Sequence, residues 1–407
     1  MPARPRRTRG WVGLSRTRAA AATSVTGALT LVAVAGCGSS SSGTTPAAST
    51  GASASSDSRT VDVVITSDGC APAQTSYTSG PLTFKVSNKD ATGVSEIELL
   101  SGERILGEKE NLAPGFSGSF ALALSAGDYT LYCPGASTEK TGLKVTGGTV
   151  TKAPTTTSAL LAQGTKDYAQ YVNTQVALMI ENTQPLVDAI QKNDLTAAQA
   201  AYGKARPYYE RIEPVAESFT SGKDNLDSDI DARADDVPAA EWTGYHRIEK
   251  GLFQDKSTAG LQAYATGLLA NLKKLQSLTK DLTYQPAELA NGAVGLLDEA
   301  SKTKITGEEE RYSHIDVLDL QANVEGSEQA FAALKPGLTN IDPTLTDTIA
   351  TRFAAVDTLL DKYRSAAAIG GFELFTSLSK ADTTAIAQAI QAVSEPLSQV
   401  AGKVVNS

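Results

Sequence analysis

Near residue 150 the spacing of apolar side chains changes from every second residue to every third or fourth. Before that point, Val61-Asp62-Val63-Val64-Ile65, Leu82-Thr83-Phe84-Lys85-Val86, Ser119-Phe120-Ala121-Leu122-Ala123-Leu124 and Tyr129-Thr130-Leu131-Tyr132 read as short strands. Gly80-Pro81, Pro114-Gly115 and Ala126-Gly127-Asp128 supply the turns between them. After it, Tyr168, Tyr171, Val172, Val176, Met179, Ile180, Leu186 and Ile190 recur at helical spacing over Leu160 to Leu195. Ala197 to Phe219, punctuated by Pro207 and Pro214, continues the pattern, as do Leu261 to Leu282, Leu318 to Leu334 and Ile349 to Leu360. A period of two and a period of 3.6 bury their apolar faces in different architectures. The chain is therefore expected to be multidomain: an N-terminal all-β sandwich over 60–147, a linker at 148–165, and an all-α helical bundle over 166–403.

The first 59 residues fit neither pattern. Arg4, Arg6, Arg7, Arg9, Arg16 and Arg18 precede an apolar and small-residue run, Ala19 to Ala35, that ends in Val34-Ala35-Gly36-Cys37. That is the layout of a secretory signal peptide, residues 1–36. The cysteine after Ala-Gly resembles a bacterial lipobox, so Cys37 is the expected lipidation site. Arg6-Arg7 leaves both the general and the twin-arginine export routes open. Residues 37–59, mostly Gly, Ser, Thr, Ala and Pro, cannot bury enough surface to offset their ordering entropy and read as a flexible linker. The expected location is the extracytoplasmic side of the cell membrane, held there by lipid. Loss of residues 1–36, with six arginines and no acid, moves the formal net charge from −9 to −15. A chain that acidic is not expected to bind nucleic acid.

In the β unit the segment Gly127-Asp128-Tyr129-Thr130-Leu131-Tyr132-Cys133 resembles the late strand of cupredoxins, which carries a copper-ligating cysteine. A blue-copper centre needs two histidines and a cysteine. The chain has 2 histidines, His246 and His314, and both lie in the helical unit. Two readings remain for Cys70 and Cys133. They form a disulfide between the first and last strands in an oxidising compartment, or they join nearby carboxylates in a non-blue copper or iron site. Taken singly, Glu96, Glu98, Glu108 and Glu110 read as acids on solvated strand faces.

In the helical unit, Glu210 and Glu213 stand at i, i+3 in Tyr208-Tyr209-Glu210-Arg211-Ile212-Glu213-Pro214, which puts both on one helix face. His246 and Glu249 have the same spacing in Gly244-Tyr245-His246-Arg247-Ile248-Glu249. Helical bundles hold Fe or Mn with inward Glu and His side chains spaced in this way. In the block Glu308 to Gly326, Asp319, Asn323 and Gly326 fall at i, i+4, i+7 and suit an inward polar seam.

These segments together resemble the imelysin-like, M75 "peptidase" family with its HxxE motif. Glu108-Lys109-Glu110-Asn111-Leu112-Ala113-Pro114-Gly115-Phe116-Ser117 resembles the cupredoxin-like domain of EfeO-type iron-uptake proteins. The resemblance covers about residues 60–400. It implies a cupredoxin-like domain followed by an imelysin-like domain, and metal ligation by His246, Glu249, Glu210, Glu213, Asp227 and Glu309. In the β domain it implies a metal region at Cys70, Glu96, Glu98 and Cys133. The implied cargo is iron, with copper or zinc as alternatives. The implied partners are an Efe-type membrane iron permease and a haem peroxidase. The expected role is extracytoplasmic iron capture, with ferrous oxidation at the β domain as an open step, and delivery to the permease.

An enzyme is not expected. A zinc peptidase needs several ligands, an open coordination position and a general base. HxxE supplies one imidazole and one acid, and nothing in the sequence places His314 beside His246. A metal-dependent peptidase and a non-catalytic cell-surface scaffold are the alternatives.

Overall fold

A computed structural model describes residues 60–102, 104–109, 112–147, 156–221, 224–234 and 236–407. The expected signal peptide, Cys37, the expected linker 37–59, residues 148–155 and Glu110 lie outside the described residues. No described helix is long and apolar enough to cross a membrane.

The β domain comprises β1 (Thr60–Thr66), β2 (Gly69–Pro72), β3 (Ser76–Thr78), β4 (Gly80–Asn88), β5 (Ile97–Ser101), β6 (Arg104–Lys109), β7 (Ser117–Leu124), β8 (Gly127–Tyr132) and β9 (Lys140–Thr146). Two sheets result, ordered β2-β1-β4-β7 and β3-β9-β8-β5-β6. Alternation explains the core: Val61, Val63 and Ile65 of β1 are buried, whereas Asp62 and Val64 between them are exposed. Phe84 of β4 lies opposite Phe120 of β7, and their rings stack with centroids 4.7 Å apart.

Cys70 and Cys133 form a disulfide with Cα atoms 6.1 Å apart. It ties β2 in one sheet to the end of β8 in the other, not the first strand to the last. The separation of 63 residues makes it a long loop closure, of a size that contributes roughly 4 kcal/mol by restricting the unfolded chain. The disulfide corrects the expectation that both cysteines ligate a metal: bonded sulfurs are no longer thiolates.

The helical domain begins earlier than the sequence suggested. α1 (Thr156–Gln191) starts inside the segment expected as linker, so residues 156–165 are its first turns. The remaining helices are α2 (Leu195–Ala205), α3 (Pro207–Glu210), α4 (Glu213–Glu217), α5 (Leu226–Asp231), α6 (Gly244–Glu249), α7 (Gln262–Thr279), α8 (Pro286–Lys302), α9 (Asp316–Ile341), α10 (Pro343–Leu360), α11 (Lys380–Leu397) and α12 (Val400–Val404). The face of α1 that carries Val172, Val176, Met179, Leu186 and Ile190 is buried, and α1 packs against α2, α7 and α9. α9 is polar yet buried along Asp319, Asn323 and Gly326, the seam its spacing suggested.

The β domain docks on α8 along β6 and β7. Arg104 pairs with Glu288 at 3.1 Å and Lys109 with Asp298 at 2.9 Å. Asn291 Nδ2 donates to the Ala121 carbonyl at 3.1 Å.

Candidate metal centre

Two chain breaks set up the first acids. α2 ends at Arg206 because Pro207 follows it and has no N–H to continue the ladder. Glu210 then closes α3, and Glu213 opens α4 one turn later. The two acids therefore do not share one continuous helix face, as their spacing had suggested. The break still brings them together, since both reach Lys304. Gly326 of α9 passes so close that a Cβ there would overlap the Arg211 carbonyl within this turn.

A second junction joins Asp231, at the end of α5, to His246 and Glu249 on α6. Gly244 opens α6 at φ +78°, and a Cβ there would overlap the carbonyl oxygen of Ile230, next to Asp231. Only glycine allows this approach. Glu309 and Glu310 arrive from the turn between Gly307, at φ +80°, and α9.

These residues converge. Ligand atoms of Asp231, His246 and Glu309 lie within 4.8 Å of one another, as do those of Glu210, Glu213, Asp231 and Glu309, and those of His246, Glu249 and Glu310. All of them are buried. His246 stands between the sets. Its Nδ1 is 3.3 Å from Glu249 Oε2, and its Nε2 is 3.4 Å from Glu309 and 3.6 Å from Asp231. Glu249 is itself fixed, because its other oxygen accepts the backbone N–H groups of Tyr312 and Ser313, each at 2.7 Å. A carboxylate held in this way accepts from Nδ1 and leaves Nε2 facing Asp231 and Glu309.

Two buried cations balance part of the charge. Arg206 lies within ion-pair reach of Glu210, Asp231, Glu309, Glu310 and Asp319. Lys304 lies 2.9 Å from Glu210 and 2.6 Å from Glu213. Burial opposes charge on both, but the surrounding carboxylates outweigh it and hold each pKa well above its usual range. Burial also favours neutral Asp231 and Glu309. For Asp231 the opposing charges of Arg206 and His246 win; for Glu309 those of Lys304, His246 and Arg206 do, and both carboxyls titrate below their ordinary range. Burial lowers His246, yet Asp231 above all raises it, and the net shift is well above the usual imidazole range.

Of the sequence-derived residues, His246, Glu249, Glu210, Glu213 and Glu309 come together. Asp227 belongs to none of the converging groups; the hydroxyl of Tyr209 donates to its carboxylate. His314 belongs to none either. Asp231, Arg206, Lys304 and Glu310 were not foreseen. Asp231 stands four residues after Asp227 in a run of acids, and only the fold distinguishes which of them points inward.

In the β domain Glu98 is not on a solvated face: it is 7% exposed, opposite Glu108 and Tyr132 in the register. Burial, with Glu96 adding repulsion, pushes its carboxyl up to about 8. Burial raises Glu96 as well. Among the described residues, the converging groups are confined to the helical domain.

Residues 164–400 match the family model for imelysin, peptidase M75, and residues 30–143 match the cupredoxin-like domain. The chain is 37% identical over 354 residues to the iron uptake system component EfeO of Escherichia coli K12, a span of 86% of this chain and 92% of that protein. The chain belongs to the EfeO family. EfeO of Shigella flexneri matches to the same extent. An imelysin-like protein from Psychrobacter arcticum 273-4, solved by crystallography, is 13% identical with a TM-score of 0.41, covering 58% of this chain and 93% of its own. In this EfeO-type chain, the converging groups fall within the imelysin match and the disulfide within the cupredoxin-like match.

The acid-rich site fixes how stability varies with pH. Burial, with Glu249 beside it, pushes Glu310 up to about 8, and burial pushes Asp316 up to about 7. Unfolded, such groups titrate near 4, so the folded state holds protons that the unfolded chain has lost. Their contribution is complete below about pH 4 and disappears as pH rises through 7 to 8. The raised His246 acts with the same sign, being complete below about 6.5 and lost through its higher folded pKa. Asp231 and Glu309, being lowered, lose their contribution only under strong acid. Chelator-treated protein is therefore expected to be about 3–5 kcal/mol more stable at pH 6 than at pH 8. Thermal melts at the two pH values check this, and the reverse order would contradict it.

Proposed function

We propose that this chain is the extracytoplasmic iron-binding component of an Efe-type iron-uptake system, which captures iron and delivers it to a membrane permease. The convergence of Asp231, His246 and Glu309 carries this reading. Two carboxylates and an imidazole suit iron: the oxygens favour a hard ion and the imidazole admits Fe(II). Glu210 and Glu213 would complete the oxygen donors, and Glu249 would orient His246 through Nδ1. The named role of the curated relatives, a component of iron uptake, agrees with this assignment. A haem peroxidase as further partner and a lipid anchor at Cys37 belong to the same proposal. In the β domain no metal is assigned to sulfur; Glu96 and Glu98 are the groups left for a cation.

A peptidase would need a second imidazole or its equivalent near His246, and among the described residues His314 joins no converging group.

The test is titration of metal-free mature protein with Fe(II), Fe(III), Cu(II) and Zn(II). Iron is expected to bind at micromolar concentration or below, and His246→Ala to weaken it by at least ~10-fold. Equal iron affinity in the two proteins would remove the site from the reading.

A further inference from the structure

We propose that Lys304 is a tethered competitor for the metal: its ammonium occupies the carboxylate cage until an ion displaces it, and it re-enters when the ion leaves. This rests on the assignment of the helical-domain site to a metal cargo.

The position of Lys304 carries the inference. Its Nζ is 2.9 Å from Glu210, 2.7 and 2.6 Å from the two oxygens of Glu213, and 3.6 Å from Glu309. Three of the four carboxylates whose oxygens converge therefore lie within ion-pair reach of this ammonium, beside the guanidinium of Arg206. Metal–oxygen bonds run at about 2.0–2.2 Å. An ion at that distance from these oxygens would sit against the ammonium, so the two cations exclude each other.

The cage is more than a group of acids. His246 Nε2 faces it, and the buried Asp319 Oδ1 and Asn323 Oδ1 beside it accept no hydrogen bond. These unused acceptors point to a cation larger in charge or coordination number than one ammonium.

Lys304 also has somewhere to go. It opens a three-residue 3-10 turn, Lys304–Thr306, with Lys302 before the turn and Thr306 at its end both exposed. Gly307 follows in the left-handed region at φ +80°. On this proposal the side chain leaves the cage by a shift of this turn, which packs on α8, α9 and α11 with Gly307 against the Phe375 ring.

A tethered competitor lowers the affinity of every ion it excludes by one common factor. Weak ligands such as Ca(II) and Mg(II) are then left unbound at ordinary concentrations, and a strong ligand binds but exchanges faster than from an open cage. That suits a carrier better than a storage site.

The experiment compares wild type, Lys304→Met and Lys304→Arg, titrated at pH 8 with Fe(III), Mn(II) and Zn(II). Lys304→Met is expected to tighten all three by a similar factor, at least ~10-fold, and to slow release to a chelator; Lys304→Arg is expected to stay near wild type. A second measurement uses the wild-type protein alone. Acylation of lysines, read by mass spectrometry, should leave Lys304 unmodified in the metal-free protein and modify it several-fold more in the loaded form, with exposed Lys302 as internal reference. Equal affinities in wild type and Lys304→Met overturn the proposal, as does a Lys304 equally unreactive in both forms. The proposed function still stands in that case if iron binding depends on His246. Tightening for Mn(II) and Zn(II), with no iron binding by any of the proteins, supports the competitor and overturns the iron reading.

Discussion

Arg206→Met will lower the stability of the metal-free helical domain by about 3–5 kcal/mol at pH 7.5, a fall of roughly 6–20 °C in Tm. The guanidinium is fully buried and reaches Glu210, Asp231, Glu309, Glu310 and Asp319. Methionine replaces most of the stem and can rest against the Tyr209 and Tyr245 rings that Arg206 now covers. What is lost is mainly charge. The acids left behind must then be buried unpaired or take up protons, and either is costly in a low-dielectric interior. Because protonation relieves them, the deficit should shrink at pH 5.5. Paired thermal melts at the two pH values read both effects. A deficit that does not change with pH would mean that packing, not charge, is what Arg206 contributes.

Glu309→Gln will weaken iron binding by at least about 100-fold while changing stability far less. Glu309 belongs both to the Asp231–His246 group and to the Glu210–Glu213–Asp231 group, so one substitution removes a charged donor from each. It also accepts from Arg206 at 2.9 Å and from Arg233 at 3.0 Å. Glutamine keeps the size and one acceptor oxygen. It also removes one negative charge from a site rich in buried acids, which offsets part of the lost pairing. Glu249→Gln should cost less, roughly 10–100-fold, since Glu249 acts through the orientation of His246 and outer partners are typically worth that much. Calorimetric titration of the two variants ranks them. The opposite order would place the ion on the Glu249 side of the imidazole.

The parts of the fold that depend on local periodicity were legible. Strands β1, β4, β7 and β8 follow the alternation of their own residues, and α1, α7, α9 and α10 follow theirs. The spacing of His246 and Glu249 needed only helical geometry to place both on one face. Interior charge was not legible. Arg206 and Lys304 look like any surface cations in the sequence; tertiary packing alone drives them inside, where acids from separate segments wait. Asp231 was hidden for a related reason, because Asp227 and Asp229 on the same short helix present equal chemistry. Glu98 shows the limit of alternation: β5 does turn Glu98 away from Ile97 and Leu99, but the register buries that face too. Cys70 and Cys133 left disulfide and ligand equally open, since only the packing of β2 in one sheet against the end of β8 in the other brings them within bonding distance.

The position of the ion itself decides between these readings most directly. Crystals of the iron-loaded protein, measured at the iron absorption edge, should give an anomalous peak about 2.0–2.2 Å from His246 Nε2 and from the carboxylates of Asp231 and Glu309. A peak confined to the β domain, or a helical domain with no peak between those three side chains, would contradict the assignment.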